Sequence, residues 1–172
     1  MKKAARKVLS GVSAGALIIG AAFGCFKLIS FEPTDSGVNG SPTVTVTLDI
    51  DFSEVLSDEN YPRLDPAVKS TAALPEDGSF ADDVTFSAES GTTALGVLEG
   101  YCADEGIMLD VKHGSEALGM GDYVRGIGGL SEGDCTRRSG WIYLIDGSEP
   151  DVPMSAVTME DGQSLEVRYI VY

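Results

Sequence analysis

Gly140-Trp141-Ile142-Tyr143-Leu144-Ile145-Asp146-Gly147 carries the only tryptophan of the chain, and its reading decides the fold. Aromatic and β-branched residues dominate it, and a glycine bounds each end, which is the composition of a β-strand. Side chains alternate along a strand. Trp141, Tyr143 and Ile145 therefore share one face, and Ile142 and Leu144 the other. Both faces are apolar, so this strand is expected at the centre of a sheet with cover on both sides. Asp146-Gly147 then supplies a turn, since glycine tolerates a positive φ.

The flanking sequence supplies partners for that strand. Thr43–Phe52 alternates strictly, with Val44, Val46, Leu48, Ile50 and Phe52 on the core face and Thr and Asp on the other. The last strand, Ser164–Tyr172, places Leu165, Val167, Tyr169 and Val171 on one face. Asp83–Ala88 reads as a second strand and Ile107–Val111 as a third. A helix over Ala94–Ala103 aligns Leu95, Leu98 and Cys102. Thr92 or Thr93 caps it and Gly106 stops it. Residues 53–82 are acidic and contain Pro62, Pro66 and Pro75; they read as a long excursion without helix or strand. Asp122–Asp134 is Gly-rich, Pro150 and Pro153 mark a loop, and Asp161-Gly162 marks a turn. This order predicts an α+β fold, one sheet with one helix packed across it.

Charge divides the 172 residues sharply. The overall balance is 12 Lys and Arg against 27 Asp and Glu, a net charge of −15. Lys2, Lys3, Arg6, Lys7 and Lys27 precede residue 31, and no acidic residue does. Residues 31–172 then hold seven basic residues against 27 acidic ones, a net charge of −20. Such a surface repels phosphate backbones and excludes nucleic-acid binding as a function.

Residues 8–26 carry no charge and are long enough to cross a bilayer as a helix. The basic residues before them hold the N-terminus in the cytoplasm and put the rest outside. Three fates of this leader stay open: an uncleaved anchor, cleavage after Ala22-Phe23-Gly24, or lipid attachment at Cys25. The bulky Phe23 two residues before Cys25 counts against the last. The expected organisation is a signal or anchor segment at 1–30, a linker at 31–42 and a domain at 43–172. The expected location is the cell membrane with the domain outside. In that oxidising setting Cys102 and Cys135 form an even pair and are expected to make a disulfide, against the alternative of two free thiols. The loop so closed would stabilise the fold by roughly 3–4 kcal/mol.

No constellation points to an enzyme. His113 is the only histidine, no serine sits in a G-x-S-x-G setting, and one histidine with two cysteines does not complete a zinc set. Asp49-Ile50-Asp51-Phe52-Ser53 opens like a calcium loop, but Glu54 stands where the turn needs glycine and Asn60 where a bidentate glutamate is needed. Gly126-Ile127-Gly128-Gly129 lacks the lysine and following helix of a phosphate cradle. What remains is an aromatic set, Tyr101, Tyr123, Trp141, Tyr143, Tyr169 and Tyr172. Either it packs the core or it offers a platform for a flat, partly apolar ligand.

Residues 121–172 resemble the transcobalamin-like C-terminal domain of bacterial surface proteins. The resemblance is carried by Asp122-Tyr123-Val124, Ile127-Gly128-Gly129-Leu130, Gly140-Trp141-Ile142-Tyr143, Asp146-Gly147, Asp161-Gly162 and Tyr169. Thr92–Leu98 resembles the family's helix, and the likeness extends over about residues 43–172. It implies a small β-grasp-like fold with a sheet curled around one helix. In vertebrate cobalamin carriers the similar domain closes over a corrinoid held by a helical barrel. The resemblance therefore implies ligand contact at Trp141, Tyr143, Asp146 and Gly147, with Tyr123 from the same pattern beside them. Asp146 stands where the family usually has Asn.

The expectation is an extracytoplasmic, membrane-tethered module that binds cobalamin or a related small molecule and needs no cofactor of its own. The rival expectation is a surface module that binds a protein or glycan through an exposed sheet edge.

Overall fold

β1 (Thr43–Asp51) forms as its alternation dictates: Val44, Val46, Leu48 and Ile50 are buried and the intervening Thr and Asp residues face outward. It belongs to a computed structural model that describes residues 41–72, 74–115 and 121–172. The apolar segment 8–26, Cys25 and most of the 31–42 linker lie outside the described residues. Among the described residues no helix is long and apolar enough to cross a membrane.

β2 (Ser79–Glu89) runs antiparallel to β1, from the pair Thr43↔Glu89 to the pair Asp51↔Ser79. It starts four residues before the strand expected from sequence. A register shift between Leu48 and Ile50 sets Asp82 and Asp83 against Asp49, and Asp83 takes a φ of 48°. This bulge breaks the alternation that marks a strand in sequence. β7 (Ser164–Ile170) lies parallel to β1, and β6 (Gly140–Ile145) lies antiparallel to β7. The sheet order is β2-β1-β7-β6.

β6 is thus an edge strand, not the central strand its two apolar faces predict. Its two faces have different neighbours. Trp141, Tyr143 and Ile145 stand opposite Tyr169, Val167 and Leu165 on the core side. Ile142 and Leu144 stand opposite Arg168 and Glu166, whose ion pair covers the outer face. The fully buried centre is the parallel pair β1 and β7, where Leu48, Ile50, Leu165 and Val167 have no exposed surface.

α2 (Ala94–Glu105) lays Leu95, Val97, Leu98, Tyr101 and Cys102 on that sheet. Thr93 Oγ1 accepts the Gly96 N–H at 3.1 Å, and Gly106 ends the helix at a φ of 69°. Both ends follow the sequence expectation. The Gly-rich stretch becomes part of a second sheet, β3 (Leu109–Lys112), β4 (Tyr123–Ile127) and β5 (Leu130–Ser131), in the order β3-β4-β5. Gly128 and Gly129 turn the β4–β5 hairpin at φ values of 60° and 89°. A Cβ on Gly128 would stand 2.0 Å from Phe80 Cζ, so only glycine fits there.

The excursion after β1 is ordered rather than loose. Ser53–Leu56 and Tyr61–Arg63 form 3-10 turns, and α1 (Pro66–Thr71) follows. Asp65 caps α1 by accepting the Ala67 N–H at 2.7 Å, and Pro66 fills its first position. Val55, Leu64 and Val68 pack with Phe52, Leu130 and Tyr169 into a second apolar cluster. Three apolar residues spread over two 3-10 turns and one six-residue helix give no helical or strand period to detect.

The expected Cys102–Cys135 disulfide is absent: both cysteines are free and buried. Cys102 belongs to the cluster beneath α2, and Cys135 to the cluster around Phe52 and Tyr169. Cys135 Sγ donates to the Asn60 carbonyl at 3.5 Å. Counting cysteines does not reveal that the chain builds two cores and assigns one thiol to each. Burial pushes the Cys102 thiol up to about 11, which suppresses the reactive thiolate.

Taken together, the fold is a mixed one, mostly β-sheet with few helices. It agrees with the expected α+β class at that level.

Candidate functional site

A groove runs along the free edge of β6, and β4 forms its other wall. Its inner part has a volume of about 260 Å³ and is lined by Tyr123, Val124, Trp141, Tyr143 and the loop from Glu149 to Met154. Its outer part has a volume of about 570 Å³ and opens between Arg137, Arg138, Trp141, Ile142 and Tyr172. The two parts share Tyr123, Val124, Trp141 and Ile142.

Each wall residue is held by a specific contact. Trp141 Nε1 donates to the Leu130 carbonyl at 3.0 Å, and its ring meets Tyr169 edge to face. Tyr169 in turn donates its hydroxyl to the Ser131 carbonyl at 2.7 Å, and its Oη lies 2.9 Å from Ser139 Oγ. Tyr143 donates to the Val152 carbonyl and so ties the Pro-containing loop across the end of the groove. Burial, and then the carboxylate of Glu149, push the Tyr143 phenol above its ordinary pKa. Tyr123 donates to Glu132 Oε1 at 3.3 Å, and the Lys112 ammonium lies 5.5 Å from the centre of its ring.

Three of the five expected ligand-contact residues, Tyr123, Trp141 and Tyr143, therefore line one groove. Asp146 and Gly147 do not line it. They form a two-residue turn with φ values of 50° and 75°, in which Ile145 and Ser148 exchange backbone hydrogen bonds. The Asp146 carboxylate accepts the Ser164 N–H at 2.9 Å and a Gln163 side-chain N–H at 3.3 Å, locking the turn to the start of β7. Of the other aromatics, Tyr101 is buried beneath α2 and donates to the Phe80 carbonyl, whereas Tyr172 is exposed at the outer rim.

Arg137 and Arg138 are groove residues that the sequence reading missed. Their signal was present: an adjacent basic pair in a region with seven basic residues in all. His113 is on the surface, with Nδ1 3.0 Å from Asp122 Oδ2. The hydrogen bond from His113 holds the Asp122 carboxyl below its ordinary pKa. Among the described residues no group of His, Cys, Asp and Glu is arranged to hold a metal ion. A more apolar cleft of about 690 Å³ lies between Phe80, Ile107 and Met108, and it contains none of the expected residues. The β6–β4 groove offers aromatic surface for stacking, apolar side chains for burial and cations at one end. That is equipment for holding a small molecule.

The sequence pattern described as Domain of unknown function (DUF4430) matches residues 91–170, from the turn before α2 to the end of β7. No curated protein matches the chain. Among solved structures, haptocorrin in complex with Cbi is similar, with a TM-score of 0.54 and 17% identity, over 79% of this chain. The match covers 27% of the haptocorrin chain, so this chain corresponds to a minor part of it. The likeness is one of fold. A candidate metal binding protein from Ruminococcus gnavus ATCC 29149 is also similar, with a TM-score of 0.44 and 11% identity, over 75% of this chain and 98% of that one.

Proposed function

We propose that the chain is an extracytoplasmic, membrane-tethered module that binds a small molecule in the β6–β4 groove, with a corrinoid such as cobalamin as the first candidate. One observation carries this reading: Tyr123, Trp141 and Tyr143, separated in sequence, line one groove. The likeness to haptocorrin supports it at the level of fold, and we read the sheet curled on α2 as β-grasp-like. The uncharged segment 8–26 and the basic residues before it support the tether. The groove binds and positions; it carries out no covalent chemistry on its ligand.

Trp141 is the only tryptophan, so intrinsic fluorescence reports on the groove. Cobalamin added to the full chain should quench or shift that emission and saturate. No saturable change up to millimolar cobalamin would reject corrinoid binding by this chain alone. Membrane extraction of the full chain and of Cys25→Ser tests the tether: loss of membrane retention in the variant assigns the tether to a lipid, and retention assigns it to the 8–26 segment.

The edge position of β6 favours a second reading, a surface module that binds a protein or glycan partner. An unpaired strand edge recruits an extended segment by backbone hydrogen bonds. Capture of a partner from envelope extract by the full chain, with and without saturating cobalamin, separates the two: a captured partner together with no cobalamin-induced change at Trp141 favours the surface module.

A further inference from the structure

We propose that the ligand of the β6–β4 groove is a flat molecule with an acid group, the acid held by Arg137 and Arg138 and the flat part lying against Trp141. This rests on the reading of the groove as a small-molecule site.

The charge inventory motivates it. Residues 31–172 contain 27 acidic residues and only seven basic ones. Arg125 and Arg168 are committed to ion pairs with Asp110 and Glu166. Among the described residues Arg137 and Arg138 make no ion pair. In so acidic a region an exposed guanidinium free to move reaches a carboxylate easily. The turn that carries these two is fixed. Ser139 Oγ accepts the N–H groups of Cys135 at 3.3 Å and Thr136 at 3.0 Å, and meets Tyr169 Oη at 2.9 Å. The Arg138 N–H is bonded to Thr136 Oγ1 at 3.4 Å, and its guanidinium lies 5.5 Å from the centre of the Tyr172 ring. A buried hydroxyl pair thus ties the arginine turn to the core and presents its two cations at the groove mouth.

The surroundings complete the match. Lys112 lies over Tyr123, and Glu132, which accepts from Tyr123, is the carboxylate that lines the outer part of the groove with the two arginines, while Glu149 lines the inner part. Two guanidinium groups to one carboxylate make the outer part of the groove a locally positive spot on a strongly negative domain, and such a spot draws in anions. The planar guanidinium fork matches a carboxylate or phosphate and makes strong, charge-assisted hydrogen bonds. Trp141, Ile142 and Val124 supply an apolar wall directly beside it. A wholly apolar ligand leaves the arginines unused, and a wholly polar anion leaves the aromatic wall bare. A flat acid uses both.

Matched probes test this. 2-Naphthoate, 2-naphthyl phosphate and the uncharged 2-naphthamide share one ring system. Each is titrated into the full chain in lipid nanodiscs, with Trp141 replaced by 5-fluorotryptophan, which gives a single fluorine resonance. The two acids should bind at least about tenfold more tightly than the amide, the effect expected of charge-assisted bonding to arginine. The double variant Arg137→Gln, Arg138→Gln should bring the acids to the level of the amide and leave the amide unchanged. Added salt should weaken the acids alone. The carboxylate and phosphate arms show which acid the fork prefers. Equal affinity of acids and amide, or acid binding indifferent to the double variant, overturns the anion assignment while the groove stands. No movement of the Trp141 resonance with any probe overturns the groove reading itself.

Discussion

Trp141 and Tyr169 face each other directly across the β6–β7 ladder, edge to face, with ring centroids 5.2 Å apart and planes at 76°. Trp141 also packs against both apolar clusters and forms the shared wall of the groove. One residue therefore joins the core to the site. The core-facing side chain expected from alternation and the ligand-facing side chain implied by family resemblance are the same half-buried indole.

This double role separates stability from binding. Trp141→Phe keeps a ring against Tyr169 and loses the N–H donated to the Leu130 carbonyl. It should cost about 1–2 kcal/mol, the lower part of the range for a buried acceptor left unpaired. Trp141→Ala also removes ring packing and should cost about 2–3 kcal/mol, below the about 3–5 kcal/mol of a fully buried tryptophan. Urea unfolding at constant m-value measures both. Equal stability of the two variants would refute a packing role for the indole.

Asp146 is expected to matter for folding rather than for ligand. Its φ of 50° disfavours most side chains, and its carboxylate holds the first backbone N–H of β7. Asp146→Ala should destabilise by about 1–2 kcal/mol through strain and the lost acceptor. Asp146→Asn tolerates the same backbone and keeps an acceptor oxygen, so it should stay within about 0.5 kcal/mol of the parent. Ligand affinity should be unchanged in both. An affinity loss in Asp146→Asn at full stability would return this residue to the binding site.

The two thiols give a prediction opposite to the one that cysteine counting gives. Unfolded without reductant, the chain should take up iodoacetamide at both Cys102 and Cys135. In the folded protein both should react slowly, because both are buried and burial raises their thiol pKa values. Alkylation that appears only after reduction would establish a disulfide and a different arrangement of α2 and the Cys135 turn.

Legibility in the sequence tracked how regular each element is. β1, β7 and α2 were readable because alternation, a helical period and cap residues each act locally, as Thr93 and Gly106 do for α2. The start of β2 was hidden by the bulge at Asp82-Asp83, where an extra residue breaks the period. The second core was hidden because Val55 lies in one 3-10 turn, Leu64 caps another and Val68 comes from a six-residue helix, each too short to show a period. The position of β6 was misread because apolar residues on two faces mean two covers only if both faces meet core; here Arg168 and Glu166 cover one. In the site, the aromatic residues stood out by type. Arg137 and Arg138 are visible in sequence as a basic pair, but their place at the groove depends on a turn held by Ser139 and Tyr169, two residues thirty positions apart in sequence.

The outer face of the sheet makes a pH-dependent prediction. Asp49 stands opposite Glu166 in the parallel β1–β7 register, with Asp51 on the same strand face and Asp82 and Asp83 in the bulge beside it. Burial first, then repulsion from Asp51 and the other carboxylates, raise the Asp49 pKa above its ordinary value. A carboxyl raised on folding binds its proton more tightly in the native state. Its favourable contribution is complete below the unfolded pKa and is lost as pH rises through the folded one. At neutral pH the charged Asp49 therefore opposes folding. Asp49→Asn removes that charge and should stabilise the domain at neutral pH by on the order of 0.5 kcal/mol, since solvent screens so partly exposed a group. The gain should shrink with added salt and vanish below the ordinary aspartate value of about 3.9. Unfolding midpoints of parent and variant across this range measure it. A gain that is constant with pH, or a variant less stable at neutral pH, would show that Asp49 is held by interactions that favour its charge.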